Sequence, residues 1–191
     1  MTTGNPAAPE AARAAVPDRA LDFQPGMAMR WEITRSTADT GGELLETVNW
    51  VGPRTGGPPL HVHPSAEESY EVVEGTLEVF IDADWQTLHA GQTAVVPPGT
   101  PHTLRNASAE PVRLVNIHRP ALRFEPMFRE LHVLITTGRI KRLPPNDFRS
   151  LIYAGMLFEK YSHEQRMIKP PMAVFKALAL LGRPLRLKLN N

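Results

Sequence analysis

The sequence predicts a mainly β fold followed by a helical C-terminal region. Between about residues 29 and 118, short runs of alternating apolar and polar residues are separated by Gly, Pro and Asp turns, which is typical of β-strands. After residue 120 the apolar spacing becomes that of an amphipathic helix. Residues 1–20 have few large apolar groups, so we expect a disordered arm. We therefore divide the chain into an arm (1–20), a β-barrel unit (21–120) and a helical extension (121–191).

The β unit is predicted to contain strands at residues 29–33, 44–51, 70–73, 76–81, 85–88, 93–96 and 112–118. Their aromatic and β-branched residues suit a pleated, half-buried surface. We expect Trp31, Ile33, Val48 and Trp50 to lie in the core.

The extension is predicted to form three helices. The first has Phe124, Phe128, Leu131 and Ile135 on one face and ends at Gly138. The second begins at Asn146 as its N-cap and runs toward Tyr161, and the third runs from Pro171 to Gly182. Because these helices are apolar they must bury a face, and Met156, Phe158 and Met172 are candidates to cap a hydrophobic cavity. A partner subunit, a membrane surface and simple packing in the core are the alternatives.

Composition restricts the class of protein. The chain has no cysteine, which excludes disulfides and thiolate ligands, and no apolar run of membrane-spanning length or signal-peptide pattern is present. We expect a cytoplasmic location. Residues 1–118 carry a net charge of −8 and residues 119–191 one of +9. We expect the two parts to complement each other within a chain or across a dimer; a basic surface that attracts anionic ligands or lipid headgroups is the alternative. Nucleic acid is not expected, because the basic residues are mixed with large apolar ones.

A group of three residues suggests a metal site. His61 and His63 are two residues apart, so on a strand they face the same side. A turn through Pro64 reverses the chain and directs Glu68 back toward the two imidazoles. Imidazole nitrogen and carboxylate oxygen suit Fe, Mn, Co, Ni, Cu or Zn better than Mg or Ca. A divalent transition metal is therefore predicted, with iron favoured.

Two motifs in this region resemble those of the cupin family. The first family motif, G(X)5HXH(X)3-4E(X)6G, is matched by His61, His63, Glu68 and Gly75, whereas Gly56 and Gly57 lie closer to His61 than its opening glycine would. The second motif, G(X)5PXG(X)2H(X)3N, is matched by Gly91, Pro97, Gly99, His102 and Asn106. The resemblance covers roughly residues 43–120.

The cupin resemblance implies a small antiparallel jelly-roll β-barrel that holds a metal through His61, His63, Glu68 and His102. It also implies a small-molecule substrate and a homodimer. We expect an oxidoreductase of dioxygenase type, in which Glu68 could leave the metal and act as a catalytic base. A ligand-binding cupin without catalysis, and a redox-neutral lyase, isomerase or cyclase, remain alternatives that need the same ligands.

Two further histidines were considered for the site. His118 ends the last predicted strand and shares its parity with Asn116, so it could line the cavity as an acid, a base or a partner of a ligand. A structural role is the alternative. His89 matches no ligand position and is predicted to lie at the surface.

Overall fold

The computed structural model describes residues 19–189, which form twelve strands and three helices. The strands are β1 (Ala20–Asp22), β2 (Met29–Arg35), β3 (Leu45–Val51), β4 (Thr55–Gly56), β5 (His61–Val62), β6 (Glu67–Glu74), β7 (Thr76–Ile81), β8 (Asp84–His89), β9 (Thr93–Val96), β10 (His102–Asn106), β11 (Val112–Arg119) and β12 (Arg166–Met167). The helices are α1 (Phe124–Thr136), α2 (Phe148–Lys160) and α3 (Met172–Gly182). The arm predicted for residues 1–20 lies outside the described residues, apart from residues 19 and 20.

The strands form two six-stranded antiparallel sheets. One has the order β1-β2-β3-β11-β6-β9, and the other has the order β12-β5-β10-β7-β8 with β4 paired to β10. Strands that are neighbours in a sheet are often far apart in sequence, as β3 and β11 are. This crossing connectivity is that of the predicted jelly roll, although hydrogen bonds among the described residues do not close the two sheets into one barrel.

The core lies between the two sheets and follows the strand period of two. Along β3, residues 45, 47, 49 and 51 are buried while the residues between them are half-buried. Ile33 is in the core, as predicted, and Trp31 is partly buried against it. Val48 and Trp50 instead lie on the outer face of β3, because their parity is opposite to that of the buried residues.

The helices pack both on the sheet and on one another. Phe128 of α1 contacts Trp31 with a ring separation of 4.8 Å. Helices α2 and α3 pack closely at Gly155, where a Cβ atom would come within 2.6 Å of the Leu178 Cβ. The N-cap of α2 is Asp147 rather than Asn146, and its side chain accepts a hydrogen bond from the Ser150 backbone N–H.

The helical extension also adds a strand to the β unit. Strand β12 pairs with β5, so that Met167 lies opposite His61. The Ile168 N–H donates to the Leu60 carbonyl over 2.8 Å, which continues this attachment. The chain after α2 therefore returns to the strand that carries the first predicted ligand, His61. No helix within residues 19–189 has the length and apolar character needed to cross a membrane.

Candidate metal centre

The structure brings together the four side chains that the sequence predicts as ligands. His61 is on β5 and His63 follows it, Glu68 is on β6, and His102 is the first residue of β10. One ligand atom from each of the four lies within 4.8 Å of the others. All four residues are buried, with at most 5% of their surface exposed. Four donor atoms from three elements thus share one enclosed point between the sheets.

Backbone pairing fixes where His102 enters this centre. His102 is directly opposite His61 in the β10–β5 ladder. The preceding bend contains Pro97, which has a restricted backbone, and Gly99, whose φ of +77° is a conformation that favours glycine. The Gly99 N–H donates to the His63 carbonyl over 2.8 Å, which ties the bend to the ligand segment. The site is therefore held by main-chain contacts as well as by side chains.

The three histidines are oriented in the same way. The Nδ1 atoms of His61, His63 and His102 each lie 2.8 Å from a backbone carbonyl, those of Pro59, Glu164 and Thr100 respectively. A carbonyl can only accept, so each Nδ1 donates and each Nε2 is left to the centre. Outer contacts of this kind set the tautomer and the ring direction of a metal-binding histidine.

The two oxygens of Glu68 have different partners. Oε2 lies 3.0 Å from His63 Nε2 and 2.8 Å from His102 Nε2, and therefore points into the centre. Oε1 points away and accepts a hydrogen bond from Asn116 Nδ2 over 2.9 Å, with His118 Nε2 3.3 Å away. The carboxylate is thus held so that one defined oxygen faces the histidine nitrogens.

Burial and charge set the ionisation of these groups. Burial, together with the neighbouring imidazoles, holds the pKa of His61 well below its usual value, and burial also lowers the pKa of His63. For His102, burial is outweighed by the hydrogen bond and charge of Glu68, so its pKa is raised. For Glu68, burial is outweighed by the surrounding histidines, which hold its pKa well below the usual value. The lowered pKa values of His61 and His63 favour neutral imidazoles, and the low pKa of Glu68 favours the ionised carboxylate. Metals bind these forms of the two groups.

The donor set fits a transition metal. Three imidazole nitrogens and one carboxylate oxygen match the preference of first-row divalent ions, and the absence of thiolates disfavours soft-metal sites. The prediction that this cluster could hold a divalent metal is therefore supported by the geometry. His89, in contrast, is exposed at the end of β8.

The extension covers the centre through residues other than those expected. Phe124 of α1 packs edge-on against the His63 ring at 4.8 Å and lies 4.2 Å from the His118 ring. The predicted cap residues Met156 and Phe158 instead lie between helices, against Gly182 and Phe175 respectively. An apolar ring therefore closes one side of the metal centre.

The sequence predicts that His118 and Asn116 lie on the same face of the last strand, but it suggests a role in the site only for His118. His118 was a candidate for the cavity, and its contact with Glu68 agrees with that parity argument. Asn116 has the same parity, and it lies opposite Tyr70 on β6, which is why its amide reaches Glu68. The contact between His63 and the Glu164 carbonyl was missed, because it joins residues 101 positions apart through a main-chain atom.

Comparisons with known proteins find similarity in the β unit of the chain. A family model described as "Cupin domain" matches residues 51–118. Quercetin 2,3-dioxygenase of Bacillus subtilis (strain 168) is 39% identical over 67 residues, which are 35% of this chain and 20% of that protein. Polyketide synthase CurC of Streptomyces cyaneus is 42% identical over 55 residues, covering 29% of this chain and 36% of that protein.

A solved structure of an RmlC-like cupin from Shewanella frigidimarina NCIMB 400 is 22% identical, with a TM-score of 0.46, and the alignment covers 57% of this chain and 89% of that one. The matches to the two curated relatives thus span only a fifth to about a third of those proteins. The family match includes both histidine-bearing motifs and the four clustered side chains. Residues 51–118 therefore match a cupin domain, and the chain is similar to cupins in this segment.

Proposed function

We propose that this protein is a metal-dependent oxidoreductase of dioxygenase type that acts on a small organic substrate. The observation that carries the proposal is the buried cluster of three Nε2 atoms and one carboxylate oxygen within 4.8 Å of one another. Four protein ligands leave coordination positions for substrate or dioxygen, as in catalytic rather than structural sites. The likeness of residues in this segment to a quercetin 2,3-dioxygenase supports oxygen chemistry over the alternatives.

In this proposal a bound metal, with iron favoured, supplies a Lewis acid and a redox-active centre. His61, His63 and His102 hold it through Nε2, while Glu68 Oε2 completes the set. Phe124 limits the access of water on one side of the centre. The protein thus contributes a preformed, largely dry set of ligands.

Glu68 is also our candidate proton acceptor. It is ionised because the surrounding histidines hold its pKa well below the usual value. A carboxylate of such low pKa is a weak base, and both of its oxygens already have partners. These contacts support the role of Glu68 as a ligand more strongly than its role as a base.

Metal analysis of protein purified without added metal, together with oxygen uptake, tests the proposal. We expect iron or another redox-active metal, and oxygen uptake with at least one member of a panel of diketones, flavonols and catechols. With ¹⁸O₂, both labelled atoms should enter the product. Turnover without oxygen uptake would instead indicate a redox-neutral lyase, isomerase or cyclase. If the purified protein contained no metal at any occupancy, a ligand-binding cupin without catalysis would be the remaining candidate.

A further inference from the structure

Four buried polar atoms on the inner face of strands β2, β3 and β11 have no hydrogen-bond partner within residues 19–189. They are Trp31 Nε1, Thr47 Oγ1, Asn49 Oδ1 and His118 Nδ1. We call these four side chains the polar strip. The side chains of Thr47, Asn49 and His118 are at most 5% exposed, and Trp31 is partly buried against the core.

The polar strip is continuous and begins at the metal centre. Asn49 on β3 lies directly opposite Trp31 on β2. Thr47, two residues along β3, lies opposite Asn116 on β11. Asn116 and His118 in turn contact the carboxylate of the candidate metal centre. Because residues opposite one another in a sheet share a face, the four unpartnered atoms follow one surface away from the ligands.

Such a concentration of unpartnered atoms needs an explanation. Buried polar groups in native proteins are nearly always paired, since an unpaired one loses its hydrogen bonds to water without replacement. The other buried atoms without a partner are on Thr37, Arg113, Glu130 and Glu164, which lie on other elements or on the outer face of β11. A run of such groups beside a metal centre is the pattern of a ligand site, in which a few convergent polar groups orient the molecule.

The chemistry of the polar strip restricts the ligand. Trp31 Nε1 can only donate, whereas Asn49 Oδ1 can only accept and the Thr47 hydroxyl does both. Nδ1 of His118 adds a fourth polar atom at the end of the polar strip nearest the Glu68 carboxylate. The side chains of Trp31, Thr47 and Asn49 carry no charge, so they do not pair with a charged group. The partner is therefore uncharged at this end, and it carries a hydroxyl that donates and an oxygen that accepts.

We propose that the polar strip binds the distal, uncharged and hydroxyl-bearing end of an organic ligand whose other end lies at the metal centre. The proposal rests on the metal centre of the proposed function for the position of the proximal end. It adds a second point of recognition, and it selects against small dianions, which would place a second charge among neutral groups.

Two hydroxypyranones that differ in one hydroxyl group test this proposal. Kojic acid and allomaltol share the same metal-chelating hydroxyketone, but kojic acid has a hydroxymethyl group where allomaltol has a methyl group. Titration calorimetry of the zinc-loaded protein should show tighter binding of kojic acid by about tenfold, because a site built to pair a hydroxyl rejects the analogue that lacks it. Equal affinities would overturn the proposal.

Substitutions in the polar strip complete the test. In Thr47→Val and in Asn49→Leu the ratio of the affinity for kojic acid to that for allomaltol should fall to about one. The zinc content should be unchanged, and the melting temperature should be no lower than that of the parent. Thr93→Val, the same change at an exposed position of β9, should keep the preference. Retention of the preference in both strip variants would overturn the proposal. Failure of the parent protein to bind either compound would also overturn the proposal. The parallel zinc measurement then shows whether the metal centre also fails to bind zinc.

Discussion

At the scale of single residues, Glu68 differs from the three histidines because both of its ligand-capable atoms have side-chain partners. Oε2 faces the Nε2 atoms of His63 and His102, whereas Oε1 is held by Asn116. A carboxylate held in this way presents one oxygen in one direction. It would therefore coordinate a metal through a single oxygen, and its orientation would depend on Asn116.

Removal of one candidate ligand should release the metal. His63→Ala and His102→Ala each delete one of four protein donors, so we expect metal affinity to fall by at least about 100-fold, more than the loss of an outer-sphere partner costs. His89→Ala, at an exposed position, is the matched control and should keep its metal. Elemental analysis after dialysis against a weak chelator provides the measurement. Equal metal content in all three variants would show that the ligand set is wrong.

Loss of the contact that orients Glu68 should have a smaller effect. Asn116→Leu removes the donor to Oε1 while keeping the approximate side-chain volume, and we expect metal affinity to fall about 10- to 100-fold. Competition with a metallochromic chelator measures this change. Gln86→Leu on the exposed part of β8 serves as the control. An unchanged affinity in Asn116→Leu would mean that Glu68 is oriented without this amide.

The metal-free protein should lose stability in mild acid. Burial holds the pKa of His61 well below its usual value, so the unfolded chain binds more protons at this residue and unfolding becomes easier as the pH falls below about 6.5. His63 acts in the same sense, whereas the raised pKa of His102 acts in the opposite sense. Thermal melts in EDTA between pH 7 and pH 5 should show a falling melting temperature. The fall should be smaller in His61→Gln, and an equal or larger fall would contradict this assignment.

At the scale of elements, helix α1 connects the extension to the metal centre. Its first residue, Phe124, is fully buried against His63 and His118. Phe124→Ala should therefore lower the free energy of unfolding by about 3–5 kcal/mol, as the loss of a buried aromatic ring usually does. Phe148→Ala at the start of α2, where 63% of the side chain is exposed, should change it by less than about 1 kcal/mol. Urea unfolding of both variants provides the comparison, and similar losses would contradict this role of α1.

The elements differ in how well their sequences predict them. Strands β7 and β9 begin and end where predicted, because turn residues bound both runs. The first and third helices also follow their apolar spacing, and Gly138 ends the first with a φ of +69°. Strand β12 was not predicted, since two residues carry no periodic signal and the strand forms only through its pairing with β5.

The residues of the candidate site also differ in how well the sequence predicts them. The four clustered side chains could be predicted because the chain has only seven histidines and three of them, with Glu68, stand at the spacing of the two cupin motifs. The Glu164 carbonyl could not, because every residue carries a carbonyl and only the folded chain brings this one to His63. The cap over the centre could not be chosen from the sequence for a related reason, because core packing, a partner subunit and a membrane surface were also open roles for the apolar helices. Phe158 of α2 packs against Phe175 of α3, and it is Phe124 of α1 that lies over the centre.

At the scale of the whole molecule, the helical extension is attached to the cupin domain beside the candidate metal centre. The family match ends at residue 118, yet residues 164–168 contact the ligand-bearing segment 60–63. One contact is the hydrogen bond that orients His63, and the others are the pairing of β12 with β5. The segment after α2 therefore contributes to the metal centre that the cupin motifs define.

A proline in this segment should weaken the metal centre without unfolding the protein. Ile168→Pro removes the N–H that donates to the Leu60 carbonyl, and the attachment of β12 and of the Glu164 carbonyl should loosen. We expect metal affinity to fall about tenfold, as for other losses of outer-sphere support, with an unchanged far-UV circular dichroism spectrum. Leu185→Pro, in the exposed chain after α3, is the control and should bind metal like the parent. If Ile168→Pro keeps full affinity while folded, the centre is complete without the extension, and the contact with His63 has only a structural role.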